Sequence, residues 1–451
     1  MTIRVDQLFH CATRSQNRIA GKIAMQHDAI IVGAGPAGCA AAYDLAARGR
    51  SVLLLDTRRF PRVKPCAGAL TLKSLAALRY SVLPVVRHVA RSMFMGKRLE
   101  ERALFRSRHP LCAMTVRAEL DDFCLRKTVE RGAEFRVVEA WREMRETSDG
   151  MTLHTAAGET LSARFIVGAD GANSQVRREL AQASGQQDEE WFRAGLALEG
   201  NTARVGTRTG ASAPRDLSEV EMEFDFGVPA RGYSWVFPKG DHLNVGIYTS
   251  RDDKLDRRAL AEYAQARLGT DGLSDVVGHQ VGLGGAGYVP RSERVFLVGD
   301  AAGLVDALLG EGIYNAIASG QAAAAAIEDE LAGREQARIS YTRRLRPIQQ
   351  DVANCQWAAD KFYAKLDRGY PRLVSPVIRR ALMQGYALGL TFTQTKRWWF
   401  VLPITPVRLV NALGARLGAR LGARQGSVAR ELRGYARAQA NTQITTGGTP
   451  T

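Results

Sequence analysis

The stretch Asp28 to Asp56, DAIIVGAGPAGCAAAYDLAARGRSVLLLD, limits the possible folds more than any other part of the chain. Two short runs, Ala29–Val32 and Val52–Leu55, are apolar at every position. Such runs suit strands covered on both faces, as in a parallel sheet. The Ala-rich segment between them reads as a helix, and Gly49 is its natural stop. In the turn before that helix stands Gly33-x-Gly35-x-x-Gly38. Gly33 permits a tight turn, Gly35 lets backbone approach a pyrophosphate, and Gly38 lets helix and strand pack closely. The amides at the helix N-terminus then favour phosphate. Asp56 ends the second strand, 18 residues past Gly38, where a carboxylate can bind ribose hydroxyls. Strand, turn, helix and acid together predict a dinucleotide-binding βαβ unit.

A second glycine triplet, Gly282-x-Gly284-x-x-Gly287, has the same spacing but leads into YVPRSERV. With a proline and no helix after it, it cannot set a helix N-terminus on a phosphate, and it reads as a flexible loop. The expectation is one dinucleotide fingerprint, so a nicotinamide donor would dock without a Rossmann unit of its own. The segment SEVEMEFDFG (Ser218–Gly227) alternates, with Glu221, Glu223 and Asp225 opposite Met222, Phe224 and Phe226. Together with YSWVFP and HLNVGIY it predicts antiparallel strands with one apolar face. FIVGADGANS at Phe165 and VFLVGDAAG at Val295 look like buried strands that rejoin the first unit.

The expected architecture is therefore α/β. A discontinuous Rossmann-like domain takes residues 28–75, 107–182 and 286–345. An antiparallel-sheet substrate domain takes 76–106 and 183–285. Residues 1–27 form a disordered leader, and 346–451 form a helical basic C-terminal region with a disordered tail.

The 451 residues carry a net charge of +16. From Leu331 onward there are 20 Lys and Arg against 5 Asp and Glu, so the first 330 residues carry only +1. A basic third on a near-neutral body fits an anionic partner such as a membrane surface, an acidic carrier protein or an anionic substrate. No nucleic-acid module accompanies the charge, so nucleic acid is not expected. Six cysteines form no CxxC pair and seven histidines form no HExxH, so reduced thiols and no metal site are expected. Residues 1–24 hold no apolar run of a signal peptide, and no run of about 18 apolar residues predicts a spanning helix. The expected location is cytoplasmic, with peripheral contact at the membrane face as an option.

VGADGANSQVRR (Val167–Arg178) and VFLVGDAAGLVDALLGEGIYNAIASG (Val295–Gly320) resemble two motifs of the para-hydroxybenzoate-hydroxylase-like flavoproteins. Within that superfamily, FPRVKPCAGAL resembles the Pro-Cys-Gly-Gly-Gly loop of the geranylgeranyl reductase family. RGYSWVFPKGDHLNVGIY (Arg231–Tyr248) resembles that family's substrate hairpin. The resemblance covers roughly Asp28 to Tyr341. It implies FAD, with its pyrophosphate at Gly33, Gly35, Pro36, Ala37 and Gly38 and its ribityl chain at Asp300. Gly310, Gly312 and Ile313 would lie near the flavin ring. Arg117, Val138 and Asp170 are further implied cofactor contacts. Cys66, Ala67 and Ala69 would lie over the flavin, and the two alanines depart from the family's glycines. Alanine at a positive φ costs roughly 1 kcal/mol, so either those angles are negative here or the loop is reshaped. Cys66 has two readings: a small side chain packed beside the ring, or a thiol that touches substrate or donates a proton.

The resemblance implies reduction of C=C bonds in a prenyl or other apolar substrate. Hydride would come from flavin reduced by an external donor, NAD(P)H or a ferredoxin-type protein. Tyr233, Trp235 and Phe237 are candidate walls of a greasy channel, with alternation turning only some of them to it. The alternative is a monooxygenase working through a flavin C4a-peroxide. The Trp-x-Trp-x-Ile-Pro motif of halogenases is missing. A third reading is a flavoprotein kept as a docking factor. In the tail, LGARLGARLGAR (Leu413–Arg424) stripes leucines and arginines on a helix, and Lys396-Arg397 abuts Trp398-Trp399-Phe400. These suit either a membrane interface or a domain-packing patch with a solvated tail.

Overall fold

A computed structural model describes residues 26–183, 190–204, 221–250, 255–270, 272–398 and 421–446. The expected leader, Trp399-Phe400, most of the Leu413–Arg424 repeat and the first residues of the SEVEMEFDFG strand lie outside these residues.

The fully apolar runs form the centre of a seven-stranded sheet. His27–Val32 pairs in parallel with Val52–Asp56 on one side and with Thr160–Gly168 on the other. Glu134–Val137 adds outside Val52–Asp56, and Val295–Leu297 adds beside Thr160–Gly168, both parallel. The hairpin of Trp141–Glu146 and Met151–Thr155 completes the sheet with antiparallel pairing. Ile30, Ile31, Leu53 and Leu54 are wholly buried, which is why their sequence shows no alternation.

Two helices, Pro36–Ala46 and Ile313–Leu331, pack directly on each other. Their contact is backbone to backbone. A Cβ added at Gly320 would lie 2.2 Å from the Ala37 carbonyl oxygen. This close packing sets the N-terminus of each helix against the same space.

The second sheet also has seven strands. Its order is Ser274–Leu283, Arg193–Ala203, His242–Thr249, Gly232–Pro238, Met222–Phe226, Ser92–Lys97 and Glu101–Arg106. All pairs are antiparallel except Met222–Phe226 with Ser92–Lys97. Both faces are covered, not the apolar one alone. Helix Arg257–Leu268 packs Leu260, Tyr263 and Leu268 onto Val236, Leu243, Val245 and Ile247. Glu223 and Asp225, on that side, are buried. Glu223 is held by Arg102 at 2.9 Å and by Arg267, and Asp225 accepts the Leu99 amide at 3.1 Å. Alternation predicts strands with one apolar face; the opposite, charged face is here buried as well, its acids held by Arg102, Arg267 and the Leu99 amide.

The Gly282–Gly287 segment is also not a flexible loop. Cβ atoms at Gly282, Gly284 and Gly285 would fall 2.1, 1.9 and 2.2 Å from the carbonyl oxygens of Asp300, Trp191 and Ala302. These glycines let the end of strand Ser274–Leu283 press against the turn that carries Asp300. The triplet serves backbone packing, not phosphate.

A small sheet of Ala69–Thr71, Cys112–Thr115 and Val86–Ala90 stands beside these. The C-terminal third is helical: Ala337–Ala364, Leu366–Leu373, Pro376–Leu388, Phe392–Trp398 and Leu421–Thr446. The last helix docks back on the body, with Tyr435 Oη donating to the Val86 carbonyl at 2.5 Å. Among the described residues, no helix is long and apolar enough to cross a membrane.

The crossing helices give a stability test. Gly320→Ala is expected to lower stability by about 1–3 kcal/mol, the usual cost of overpacking. Gly434→Ala is an exposed helical control with nothing within 4 Å of its Cβ, and is expected to gain up to about 1 kcal/mol. Urea unfolding of the two variants checks both signs.

Candidate cofactor and substrate site

A cavity of about 730 Å³ lies between the two sheets. Of the residues that sequence singles out for cofactor or substrate, all but Gly38 line it. Gly38 sits behind, where a Cβ would meet the Gly33 carbonyl oxygen at 1.8 Å. Gly33 has φ +106° and no room for a side chain, with Ala169 O 2.3 Å from its would-be Cβ. Gly35 is different. Its backbone is open to any residue, and its Cβ would point into the cavity, 3.9 Å from the nearest atom, on Arg62. Helix Pro36–Ala46 has no side-chain cap, so its first amides are left for a ligand. Asp56 closes the strand beside them, and its carboxylate accepts the amides of Ala34 and Arg58 at 2.9 and 3.0 Å.

A second uncapped N-terminus, at Gly312 and Ile313, opens on the same cavity. Next to it lies Asp300, which accepts the Gly282 amide at 3.4 Å. Burial pushes the Asp300 carboxyl up, while the Lys64 and Arg117 charges oppose the shift. Lys64 Nζ is 2.6 Å from His279 Nε2. Burial first, then the Lys64 charge, drops His279 to about 3, so the ring is neutral and accepts from Lys64. Glu311, between Gly310 and Gly312, takes Thr71 Oγ1 at 2.7 Å and Lys73 at 2.8 Å.

Two of the expected cofactor contacts are engaged elsewhere. The Asp170 carboxylate accepts the amides of Gln175 and Val176 at 2.7 and 3.1 Å and the Ser174 hydroxyl at 2.6 Å. It caps helix Gln175–Ala183. The Arg117 guanidinium is gripped by Asp121, one turn along the same helix, through two 2.8 Å hydrogen bonds. Burial is the largest influence and works against its charge, but Asp121 and Cys66 together outweigh it. Both residues border the cavity as walls.

In the loop Lys64–Leu70 the only positive φ is at Gly68, +61°. Ala67 and Ala69 therefore carry no left-handed strain, and the departure from the family glycines costs the backbone nothing. Cys66 is half-buried. Its amide donates to Glu199 at 2.9 Å, and its Sγ accepts the Gly68 amide at 3.3 Å. Lys239 Nζ donates to the carbonyls of Ala67 and Thr115, the latter at 2.8 Å. Burial lowers Lys239 to about 8.

Tyr233, Trp235 and Phe237 all face the cavity, not only some of them. They stand two residues apart on strand Gly232–Pro238, and a period of two places all three on one side. Phe224 and Tyr248 join them. Their polar atoms are engaged by protein: Tyr233 Oη donates to Leu309 O at 2.5 Å, Tyr248 Oη to Ala307 O at 3.3 Å and Trp235 Nε1 to Asn244 at 2.7 Å. Tyr363 donates to Leu308 O at 2.6 Å. Three tyrosines thus hold three consecutive carbonyls just before Gly310.

Sequence reasoning missed Glu199, Lys239, His279, Glu311 and Tyr248 as site residues. Lys239 follows YSWVFP directly and Glu311 stands between two flagged glycines, so position alone could have found them. Glu199 and His279 carry no local signal.

The open side of Gly35 gives a test of the cofactor site. Gly35→Val is expected to fold, with wild-type circular dichroism, but to purify without flavin absorbance, because its side chain fills the cavity in front of the helix amides.

Comparison with known proteins agrees with this geometry. Residues 26–210 match the family model for an FAD binding domain. An uncharacterized protein of Methanosarcina barkeri is 32% identical, over 82% of this chain and 92% of its own. Menaquinone reductase of Mycobacterium tuberculosis is 31% identical over 66% of this chain and 75% of its own. Geranylgeranyl diphosphate reductase of Rhodobacter capsulatus is 29% identical over 67% and 75%. Among solved structures, a geranylgeranyl bacteriochlorophyll reductase-like protein of Thermoplasma acidophilum has a TM-score of 0.57 at 19% identity, covering 88% of this chain and 99% of that one. The halogenase PltM in complex with phloroglucinol and FAD has a TM-score of 0.62 at 18% identity, covering 92% and 96%. At such identities these two structures speak for the fold alone. The two uncapped helix ends, the space in front of Gly35, the matched family model and the reductase relatives together place this chain in the geranylgeranyl reductase family of FAD-dependent oxidoreductases.

Proposed function

We propose that the protein reduces carbon–carbon double bonds in a prenyl chain or similarly apolar lipid. The carrying observation is the wall of Phe224, Tyr233, Trp235, Phe237 and Tyr248, whose Tyr and Trp polar atoms are all engaged by protein. Such a wall offers hydrocarbon contact and no hydrogen bond, so it selects a chain without polar groups and leaves any polar head outside. Relatives named for geranylgeranyl diphosphate and menaquinone support that class.

The residues divide the labour along the cavity. Gly35 and Ala37 receive the FAD pyrophosphate at the helix end, and Asp56 takes the ribose, with Val138 beside it. Asp300 accepts from the ribityl hydroxyls. The free amides at the Gly312 helix end would favour negative charge on the flavin. FAD, reduced by an external donor, supplies the hydride. The aromatic wall holds the double bond in place and excludes water. Cys66 packs over the cavity, its Sγ held by the Gly68 amide. The donor, NAD(P)H or a ferredoxin-type protein, acts from outside. The basic C-terminal third, with exposed Trp357 beside Lys396 at 4.5 Å, rests on an anionic membrane that carries the lipid.

Dithionite-reduced holoenzyme mixed with geranylgeranyl diphosphate under nitrogen is expected to yield product heavier by two hydrogens per bond, read by mass spectrometry. An absolute need for dioxygen, or a hydroxylated product, would sink the reading. Cys66→Ala is expected to keep both flavin and turnover in the same assay. In vesicle flotation, the protein is expected to follow vesicles containing phosphatidylglycerol and to leave them at high salt. Equal binding to neutral vesicles would remove the electrostatic docking.

A further inference from the structure

Lys239 is a buried ammonium behind the Cys66–Gly68 loop that lines the cavity, 3% exposed, and no step above uses its charge. It lies just past strand Gly232–Pro238, beyond the aromatic ladder. Its Nζ reaches across to the loop over the cavity and donates to the Ala67 carbonyl, and to Thr115 O at 2.8 Å. The fit there is tight: a Cβ on Gly68 would come within 2.8 Å of Nζ. From the other side, Glu199 on strand Arg193–Ala203 accepts the Cys66 amide at 2.9 Å. Thr115 adds a third hold, its hydroxyl and its amide both bonding Gly68 O at 2.9 Å. Three consecutive residues, Cys66, Ala67 and Gly68, are thus held by side chains, two of them charged and carried on or just past strands of the second sheet.

We propose that Lys239 and Glu199 are a positioning pair. They set the Cys66–Gly68 loop against the flavin and make its placement depend on the Lys239 proton. The inference rests on the reading of this cavity as the FAD site. An ammonium has three donors, and the two carbonyls use it fully charged. The neutral amine is a poorer donor, and the carbonyls it leaves are buried. The groups that face Lys239 are the Cys66 and Cys112 thiols, the Glu199 carboxylate, which favours its charge, and Arg117, which opposes it. Burial outweighs them and brings the proton off near pH 8. Below that pH the loop is held by the cation; above it the Ala67 hold loosens.

The test uses the FAD-loaded full chain, titrated from about pH 6 to about pH 10 while the visible flavin spectrum is recorded. The wild type is expected to show a transition near pH 8. Lys239→Met is expected to lack it, to retain FAD, and to lose at least about tenfold in turnover of geranylgeranyl diphosphate. Glu199→Gln keeps an acceptor for the Cys66 amide but removes the charge that supports the cation, so its transition is expected at lower pH. A wild type with no spectral transition, a Lys239→Met spectrum with an unshifted one, or a Glu199→Gln transition at the wild-type pH each overturns the proposal. If Lys239→Met fails to fold, the Glu199→Gln shift decides. The spectral result is independent of turnover, so a protein that shows the transition but leaves geranylgeranyl diphosphate unreduced refutes the substrate reading and spares the positioning pair.

Discussion

The site depends on contacts where main chain touches main chain with no side chain between. Gly282, Gly284 and Gly285 press the end of the substrate sheet onto the turn that bears Asp300 and onto Trp191. Gly320 does the same between the two helices whose free ends open on the cavity. Carbonyl oxygens about 2 Å from a would-be Cβ cannot step aside as a flexible side chain could. These contacts fix how far the cofactor end stands from the aromatic wall, and the cavity between the sheets is what remains.

The cofactor half was legible because its physics is local. A turn that must be tight, a helix that must start near phosphate and strands buried on both faces leave marks within one short stretch of chain. The aromatic strand itself was legible, but its facing was misjudged: Tyr233, Trp235 and Phe237 are two apart and share one face, against the expectation that alternation turns only some of them to the cavity. What could not be read was the destination of the polar groups. Asp170 and Arg117 look like cofactor ligands in a motif, yet each is engaged by a neighbour in its own helix or helix end. Glu223 and Asp225 stand opposite the apolar face of their strand, yet a helix from later in the chain covers them. The Gly282 triplet looks mobile because glycine spacing cannot say whether the missing Cβ makes room for motion or for another backbone. Partners far away in sequence decide all of these.

The charge inside the cavity is unevenly distributed for a chemical reason. Cations and acids cluster at the end nearest the two free helix N-termini, where Lys64, Arg62, Asp56 and Asp300 line the cavity. The far end holds rings. The Cys66 loop lies at the boundary, and its anchors, Glu199 and Lys239, are charges that the substrate sheet sends toward the cofactor side. Alanine at 67 and 69 is tolerated because the one left-handed turn falls on Gly68, where Thr115 O and Lys239 leave no space for a methyl group.

The tyrosine hydroxyls on Ala307, Leu308 and Leu309 separate the rings tied to backbone from those held by packing alone. Tyr233, Tyr248 and Tyr363 are tied to the segment that leads into Gly310, so exchanging one frees a backbone carbonyl there. Phe224 and Phe237 make no such hydrogen bond and are held only by the rings packed around them. A change of ring size at a phenylalanine therefore alters the wall alone, while a change at a tyrosine also releases a carbonyl just before Gly310.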